Sequence, residues 1–333
     1  MAERKPKIGV VIHTTLAETM FAPEDRARLN ALGEVRWTES AEPIDEADAI
    51  ALLQGCQVGI GSWGTPCPTS DALVRACPDL VLWEHAAGTV RAMLTPLAAE
   101  QGLVVASCKT AIADTVAEMA LGEILIGLRR ILENREANRA GATPMPTGIR
   151  SLDTATIGVV GASAVGRRLI HLLKACGSRH ILVYDPFLAD ADAAALGVTR
   201  TDDLLRLCRE ADAVTVHAPS LPSTEKMLGA EHFRAMADDA VFVNTARGSC
   251  IDEAALVAEL AKGRLLAFID VTDPEPAAAD SPLRTLPNVV LTSHIAGAPW
   301  LNIGRQAVDD VAAFLSGGRP KAVQSRDLLD RIA

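Results

Sequence analysis

The sequence predicts an α/β protein of two doubly wound parallel-sheet domains, and three observations carry that expectation. At 333 residues the chain is longer than a single core usually organises. Apolar runs of strand length alternate with helical stretches along most of it. Near its middle, from Ile157 to Asp185, stands a unit of strand, glycine turn, helix, strand and acid.

In the first third the spacing predicts strands at Ile8–Ile12, Val58–Ile60, Leu80–Trp83 and Leu103–Ala106. Helices are expected at Pro23–Leu32, Asp45–Leu53, Thr69–Ala76 and Val90–Glu100. Such alternation folds as a parallel sheet covered on both faces. Thr115-Val-Ala-Glu118 has the spacing of a capping box and predicts the start of a long helix through MALGEILIGLRRI. That helix is too apolar for a surface position, so it should cross between domains or join a subunit interface. A polar segment, Asn138 to Gly148, follows it.

The central unit begins with the β-branched run Ile157 to Val160 and turns at Gly161-Ala-Ser163-Ala164-Val165-Gly166. Leu169, Leu172, Leu173 and Cys176 then mark one helical face, Gly177 is placed to stop the helix, and Ile181 to Tyr184 delivers Asp185. This is the pattern of a dinucleotide-binding Rossmann unit. Gly161 permits the tight turn, and Gly166 lets helix and strand pack closely. The helix N-terminus faces a pyrophosphate, and an acid roughly 20 residues on accepts from ribose hydroxyls. Ser163 replaces the middle glycine and should either crowd the phosphate or donate a hydroxyl to it; the intact surroundings favour the second. Asp185 would repel a 2′-phosphate and no arginine follows it, so the expected cofactor is NAD.

Beyond Asp185, strands are predicted at Ala213–His217, Ala240–Asn244, Leu266–Val271 and Val289–Thr292, giving six parallel strands. Helices are predicted at Asp202–Glu210, Glu231–Met236 and Asp252–Lys262, with a last helix from Leu301 to Leu315 and a polar tail to Ala333.

Composition narrows the function. A net charge of −10 without a basic block argues against nucleic acid and anionic membranes as partners. The N-terminal stretch has too short an apolar run for a signal peptide, and no run of about 18 apolar residues occurs anywhere. The seven cysteines are scattered, without C-x-x-C or Cys/His ligand spacing, which reads as reduced core thiols of a cytoplasmic protein with no metal site.

Ligands of doubly wound sheets bind at the carboxyl ends of the strands. Three polar clusters fall there: Asn244-Thr-Ala-Arg247-Gly, Asp270-Val-Thr-Asp-Pro-Glu275-Pro and Thr292-Ser-His294-Ile-Ala-Gly297. Singly, Arg247 reads as a surface charge, Glu275 as a solvated acid and His294 as a loop histidine. Together, at adjacent strand ends, they fit the chemistry of a 2-keto acid. A guanidinium fork holds carboxylate and carbonyl in one plane, histidine moves the proton that accompanies hydride transfer, and a carboxylate orients the imidazole.

These stretches, with VHAPSLPST at 216–224, resemble the D-2-hydroxyacid dehydrogenase family, relatives of phosphoglycerate, formate and D-lactate dehydrogenases, over roughly Thr115 to Gly297. The resemblance implies Arg247 as substrate clamp, His294 as acid/base and Glu275 as its partner. It places Asp270 near the nicotinamide carboxamide and His217, Ala218, Pro219, Thr224, Thr245, Ala246 and Gly297 near the cofactor. It also implies a homodimer and a flavodoxin-like substrate domain split into residues 1–112 and 299–333 around an NAD-binding domain at 113–298.

The N-terminal third departs most from the family. Where the family has R-A-G-V-G-V-D, whose amides take the substrate carboxylate, this chain has His85-Ala-Ala87-Gly88-Thr89-Val-Arg91, and P-G-x-N becomes Lys109-Thr-Ala-Ile. Trp63, at a strand end, and Trp300, just past His294, are pocket candidates, whereas Trp83 reads equally as core. Lys109, His85 and Arg91 are extra cationic candidates for a second anionic group on the substrate, a phosphonate, phosphate or carboxylate. Two alternatives share the scaffold: oxidation of a phosphonate or phosphite, and an NAD-sensing, corepressor-like binding protein.

Overall fold

The computed structural model describes residues 5–143 and 147–329. The first four residues of the N-terminal stretch, the centre of the polar segment at 144–146 and the end of the tail at 330–333 lie outside the described residues. The chain divides into two compact units, Met1–Ile112 with Ala298–Ala333, and Ala113–Gly297.

The first unit runs β1 (Lys7–Val10), α1 (Thr14–Met20), α2 (Pro23–Leu32), β2 (Glu34–Trp37), α3 (Glu46–Leu53), β3 (Val58–Gly61), α4 (Asp71–Ala76), β4 (Leu82–His85), α5 (Pro96–Glu100) and β5 (Val104–Ser107). The boundary between units falls inside α6 (Lys109–Leu128), which is followed by α7 (Ile131–Arg139). The second unit continues with β6 (Thr156–Val160), α8 (Ala164–Ala175), β7 (His180–Tyr184), α9 (Asp190–Leu196), β8 (Thr199–Thr201), α10 (Leu204–Glu210), β9 (Ala213–Val216), α11 (Ala230–Ala235), β10 (Val241–Asn244), α12 (Glu253–Leu260), β11 (Leu266–Ile269) and β12 (Val289–Leu291). The chain then returns to the first unit with α13 (Leu301–Leu315) and β13 (Val323–Gln324).

The first sheet has the order β13-β5-β4-β3-β1-β2, parallel except for β13. Its five parallel strands follow the flavodoxin-like order. β3 and β4 are buried at every position, as strands covered on both faces must be, and Trp83 proves to be core. The second sheet has the order β12-β11-β10-β9-β6-β7-β8, all parallel. Its strand order reverses direction between β6 and β9, the switch point at which doubly wound sheets open a ligand crevice.

The second sheet has seven strands, not six. β8, Thr-Arg-Thr, and its counterpart β2, Glu-Val-Arg-Trp, are short edge strands without an apolar run, so their pairing comes from the sheet more than from local pattern. The short helices α1 and α9 were likewise invisible to periodicity. Val90–Glu100 is not one helix: a 3₁₀ turn at Arg91–Met93 precedes α5, because Pro96 disfavours helical backbone at Thr95, whose hydroxyl instead caps α5 through Ala98 N at 3.1 Å. Thr115 to Glu118 is not a capping box either. α6 starts six residues earlier, at Lys109, and the Thr115 hydroxyl donates to the carbonyl of Gly297 at 3.3 Å. On α8 the buried face is Leu169, Ile170 and Leu173, whereas Cys176 is the exposed C-cap.

All seven cysteines are free, and five are buried. Among the described residues no helix is long and apolar enough to cross a membrane, and no cluster of three or more His, Cys, Asp or Glu side chains is set to hold a metal ion.

Candidate active site

The turn after β6 is built by two close approaches. Gly161 has φ +98, and a Cβ there would fall 2.8 Å from the amide nitrogen of Ala218. At Gly166 a Cβ would fall 2.0 Å from the carbonyl oxygen of Gly161. Backbone thus fills the space where β6 and β9 end, and only glycine fits either position. Ser163 is the N-cap of α8, its hydroxyl accepting from Gly166 N at 3.4 Å. The substitution therefore closes the helix end while the hydroxyl proton stays available to a phosphate oxygen. Ala164 and Val165 open the first turn of α8.

Asp185 stands at the end of β7 with both oxygens anchored, Oδ2 by Ala162 N at 2.7 Å and Oδ1 by Phe187 N at 2.8 Å. Each carboxylate oxygen keeps a further lone pair for a ribose hydroxyl. These features fit the dinucleotide: a cradle that a Cβ would fill, a helix start and a fixed acid.

His217 is 4% exposed, its Nε2 lies 2.9 Å from Thr215 Oγ1, and burial lowers its pKa to about 3. The ring is therefore a neutral internal group, and the open part of this segment is the backbone at Ala218 and Pro219. Thr224 holds the same loop, donating to Pro219 O at 2.6 Å and accepting from Leu221 N at 2.9 Å.

Past β10, fully buried Asn244 pins the arginine turn. Its side chain accepts from Ala246 N and donates to Arg247 O, both at 3.1 Å. Gly248 approaches the neighbouring loop so closely that a Cβ would fall 2.2 Å from the carbonyl of Thr272. Arg247 is half-buried, bonds one donor to Ala246 O at 2.6 Å and forms no ion pair with a described residue. Thr245 is 6% exposed, and its hydroxyl has no partner among the described residues.

Asp270, 2% exposed, organises the last loop. Its Oδ1 accepts from Thr292 Oγ1 at 2.6 Å and Ile295 N at 2.8 Å, and its Oδ2 accepts from Ala296 N at 2.9 Å. The Asp270 carbonyl also accepts from His294 N at 2.8 Å. Three of the roughly four acceptor sites of the carboxylate are thus used, and one on Oδ2 is left for a ligand. His294 is held at φ 55, a left-handed backbone that a histidine adopts only when its surroundings impose it. The result is a 2.5 Å approach of His294 Nδ1 to Glu275 Oε1. With the carboxylate accepting, Nδ1 carries the proton and Nε2 is left for chemistry.

The first unit holds the other candidates. Trp63 is 42% exposed, and its ring lies 5.7 Å from that of Trp300 at 50°. The His85 and Ala87 carbonyls both accept from Cys108 N, which sets the 85–89 loop beside the start of α6. Gly88 is half-buried and Thr89 exposed. His85 does not qualify as a cation: it is 5% exposed, and burial lowers its pKa to about 4. Arg91 is engaged with the Leu329 carbonyl. Lys109 remains, half-buried, its pKa lowered by burial and with no acidic partner among the described residues.

Asn244 as the pin of the arginine turn and Asp270 as an amide acceptor carried no signature in the sequence. Neither did the cap role of Ser163, although a serine three residues before Gly166 was a visible cue.

Comparison with known proteins follows the same division. The model of the D-isomer specific 2-hydroxyacid dehydrogenase NAD binding domain matches residues 121–296. The D-3-phosphoglycerate dehydrogenase of Methanocaldococcus jannaschii is 33% identical over 77% of this chain and 47% of its own length. Glyoxylate/hydroxypyruvate reductase B of Cronobacter sakazakii is 34% identical over 65% of this chain and 70% of its own. A solved structure from Thermus thermophilus is similar at a TM-score of 0.73 and 27% identity, covering 95% of this chain and 99% of that one. The D-mandelate dehydrogenase of Rhodotorula graminis, at a TM-score of 0.76 and 22% identity over 97% of this chain and 98% of its own, shares the fold. The chain spans about half the length of the phosphoglycerate dehydrogenases it matches.

Proposed function

The chain belongs to the D-isomer specific 2-hydroxyacid dehydrogenase family, and from that premise we propose that it interconverts a small 2-keto acid and its 2-hydroxy acid. The observation that carries this reading is the 2.5 Å His294–Glu275 pair, with Arg247, which has no ion-pair partner among the described residues, on the adjoining strand end. Bound NAD supplies hydride transfer at the nicotinamide.

Arg247 grips the substrate carboxylate with the donors it does not spend on Ala246. His294 Nε2 gives its proton to the carbonyl oxygen as hydride arrives at the neighbouring carbon, and takes it back in the reverse direction. Glu275 keeps the proton on Nδ1, orients the ring and stabilises the imidazolium. Asp270 offers its remaining acceptor site to the nicotinamide carboxamide, with Ala246 and Gly297 beside it. Asp185 and the Ser163 cap serve the ribose and pyrophosphate, with the 217–219 segment alongside. In the first domain, the loop through Ala87, Gly88 and Thr89 would offer its amides to the carboxylate. His85, Trp63 and Trp300 would shape the space for the acid's side chain.

A second reading concerns the far end of the substrate. Lys109 is a half-buried ammonium without a counter-ion among the described residues, at a helix N-terminus, where the helix dipole disfavours a cation. That favours a substrate with a second anionic group, a phosphonate, phosphate or second carboxylate. A homodimer belongs to the same proposal. α7 buries no side chain, Ile131 is 50% exposed, and a 980 Å³ groove lined by Leu132, Arg264, Leu283 and Val290 lies beside it.

NADH oxidation against glyoxylate, pyruvate, hydroxypyruvate and oxaloacetate should show turnover. His294→Ala should lower kcat by about 10²–10⁴-fold, and Arg247→Lys should lower kcat/KM by roughly 10–100-fold. Silence across the panel with NADH still bound would contradict the reading. Lys109→Ala should cost about 10-fold in kcat/KM for doubly anionic acids alone, and an equal loss on glyoxylate would remove the case for a second anion. Light scattering should give twice the 35.1 kDa of one chain.

A further inference from the structure

One carboxyl group of the NAD-binding domain is left unused by this mechanism. Glu123 lies in the apolar run of α6, is 7% exposed, and its Oε2 is buried with no hydrogen-bond partner among the described residues. Two contacts locate it along the sheet. Near the start of α6, Thr115 Oγ1 reaches the carbonyl of Gly297, beyond the carboxyl end of β12. Near its end, Gly127 abuts the first residue of β10, a Cβ there falling 2.6 Å from Val241. The helix therefore runs opposite to the strands, and Glu123 stands one turn from Gly127 on the way to their carboxyl ends.

The strand face under α6 is apolar until it reaches the site. Val241, Val243, Leu266 and Phe268 form one core with Ala117, Ala120, Ile124 and Leu128. Strand side chains alternate, so the next residues of this face are Thr245 after β10 and Asp270 after β11. Thr245 carries the second buried, unpartnered polar atom of the region, and Asp270 is the carboxylate assigned to the carboxamide. Burial first, and the Asp270 charge second, push the Glu123 carboxyl up to about 8. Other acids of this half of α6 are settled elsewhere: Asp114 pairs with Arg168 at 2.7 Å, and Glu118 is exposed. Arg247, Asp273, Glu275 and His294, on the loops that follow β10, β11 and β12, are further charged or titratable groups of this edge, and His217 after β9 is kept neutral by burial.

We propose that Glu123 is a positioning residue for the nicotinamide, a buried carboxyl group that acts through Asp270 to set the charge behind the ring. It thereby sets the balance of affinity between oxidised and reduced NAD. The proposal rests on the dehydrogenase reading above. The oxidised ring carries a positive charge and the reduced ring none, so only the oxidised form gains when Glu123 loses its proton. A unit charge a few ångströms further from the ring than Asp270, at an effective dielectric of about 20, is worth roughly tenfold in affinity.

The test is calorimetric titration of the full chain with NAD+ and with NADH from about pH 6.5 to 9.5, in the wild type and in Glu123→Gln. In the wild type, the ratio of Kd for NAD+ to Kd for NADH should fall roughly tenfold as pH passes through about 8. In Glu123→Gln, which keeps the shape and removes the proton, it should stay flat. A Glu123→Leu variant gives the same flat ratio by a different side chain and guards against a folding defect of the first.

Thermal unfolding supplies a readout independent of cofactor. A carboxyl raised on folding favours the native state fully below its ordinary value of 4.5, and loses that benefit as pH rises through about 8. The wild-type Tm should therefore drop relative to Glu123→Gln across that window. A wild-type ratio that is flat, or one whose slope survives Glu123→Gln, overturns the proposal and leaves the dehydrogenase reading standing. Failure of either dinucleotide to bind overturns both.

Discussion

The architecture of the site depends on one buried carboxylate. Asp270 leaves the end of β11 and takes Thr292 Oγ1, Ile295 N and Ala296 N, closing the loop after β12 onto its own strand end. That capture, with the Asp270 carbonyl accepting from His294 N, supports His294 at φ 55, a conformation costing on the order of 1 kcal/mol or more for a side chain with a Cβ. The strain has a product: it places Nδ1 against Glu275 and leaves Nε2 outward. A carboxylate 2% exposed is tolerable because it is hydrogen-bonded on both oxygens. Its negative charge adds to the larger effect of burial in keeping a proton on Glu123.

The same economy governs the cofactor side. Gly161 and Gly166 bring backbone against backbone where β6 and β9 part, so the crevice at the switch point is made by removing side chains, not by adding them. Ser163 then closes the helix that a glycine would have left uncapped, and the Ala162 and Phe187 amides lock Asp185 in place. The first domain works differently. Burial makes His85 neutral, whereas Lys109 stands half-buried at the start of α6.

How much of this was legible depended on whether the signal was local. The β6–α8–β7 unit was readable because a continuous apolar run gives way to a 3.6-residue period between glycines, and the strand-end clusters holding Arg247, Glu275 and His294 followed from it. The edge strands β2 and β8 were not, because a short edge strand owes its existence to its neighbour. The Thr115–Glu118 box misled because the same spacing occurs inside a helix already under way, and only the tertiary fold shows that α6 begins at Lys109. Glu123 stood in plain view as an acid within the apolar run of α6, yet its meaning required knowing which strand ends the helix covers. Asp270's donors were hidden for a stricter reason: backbone amides have no letter in a sequence.

The central claim is that hydride passes directly between the nicotinamide and the carbon bearing the substrate oxygen while His294 handles the proton. Reduction of glyoxylate with NADH deuterated at the transferred C4 position, with the product examined by mass spectrometry and NMR, tests it most directly. The account predicts one deuterium at C2 of the hydroxy acid and none exchanged into water. Oxidation of the labelled cofactor with an unlabelled product, or no oxidation by a protein that binds it, would contradict it.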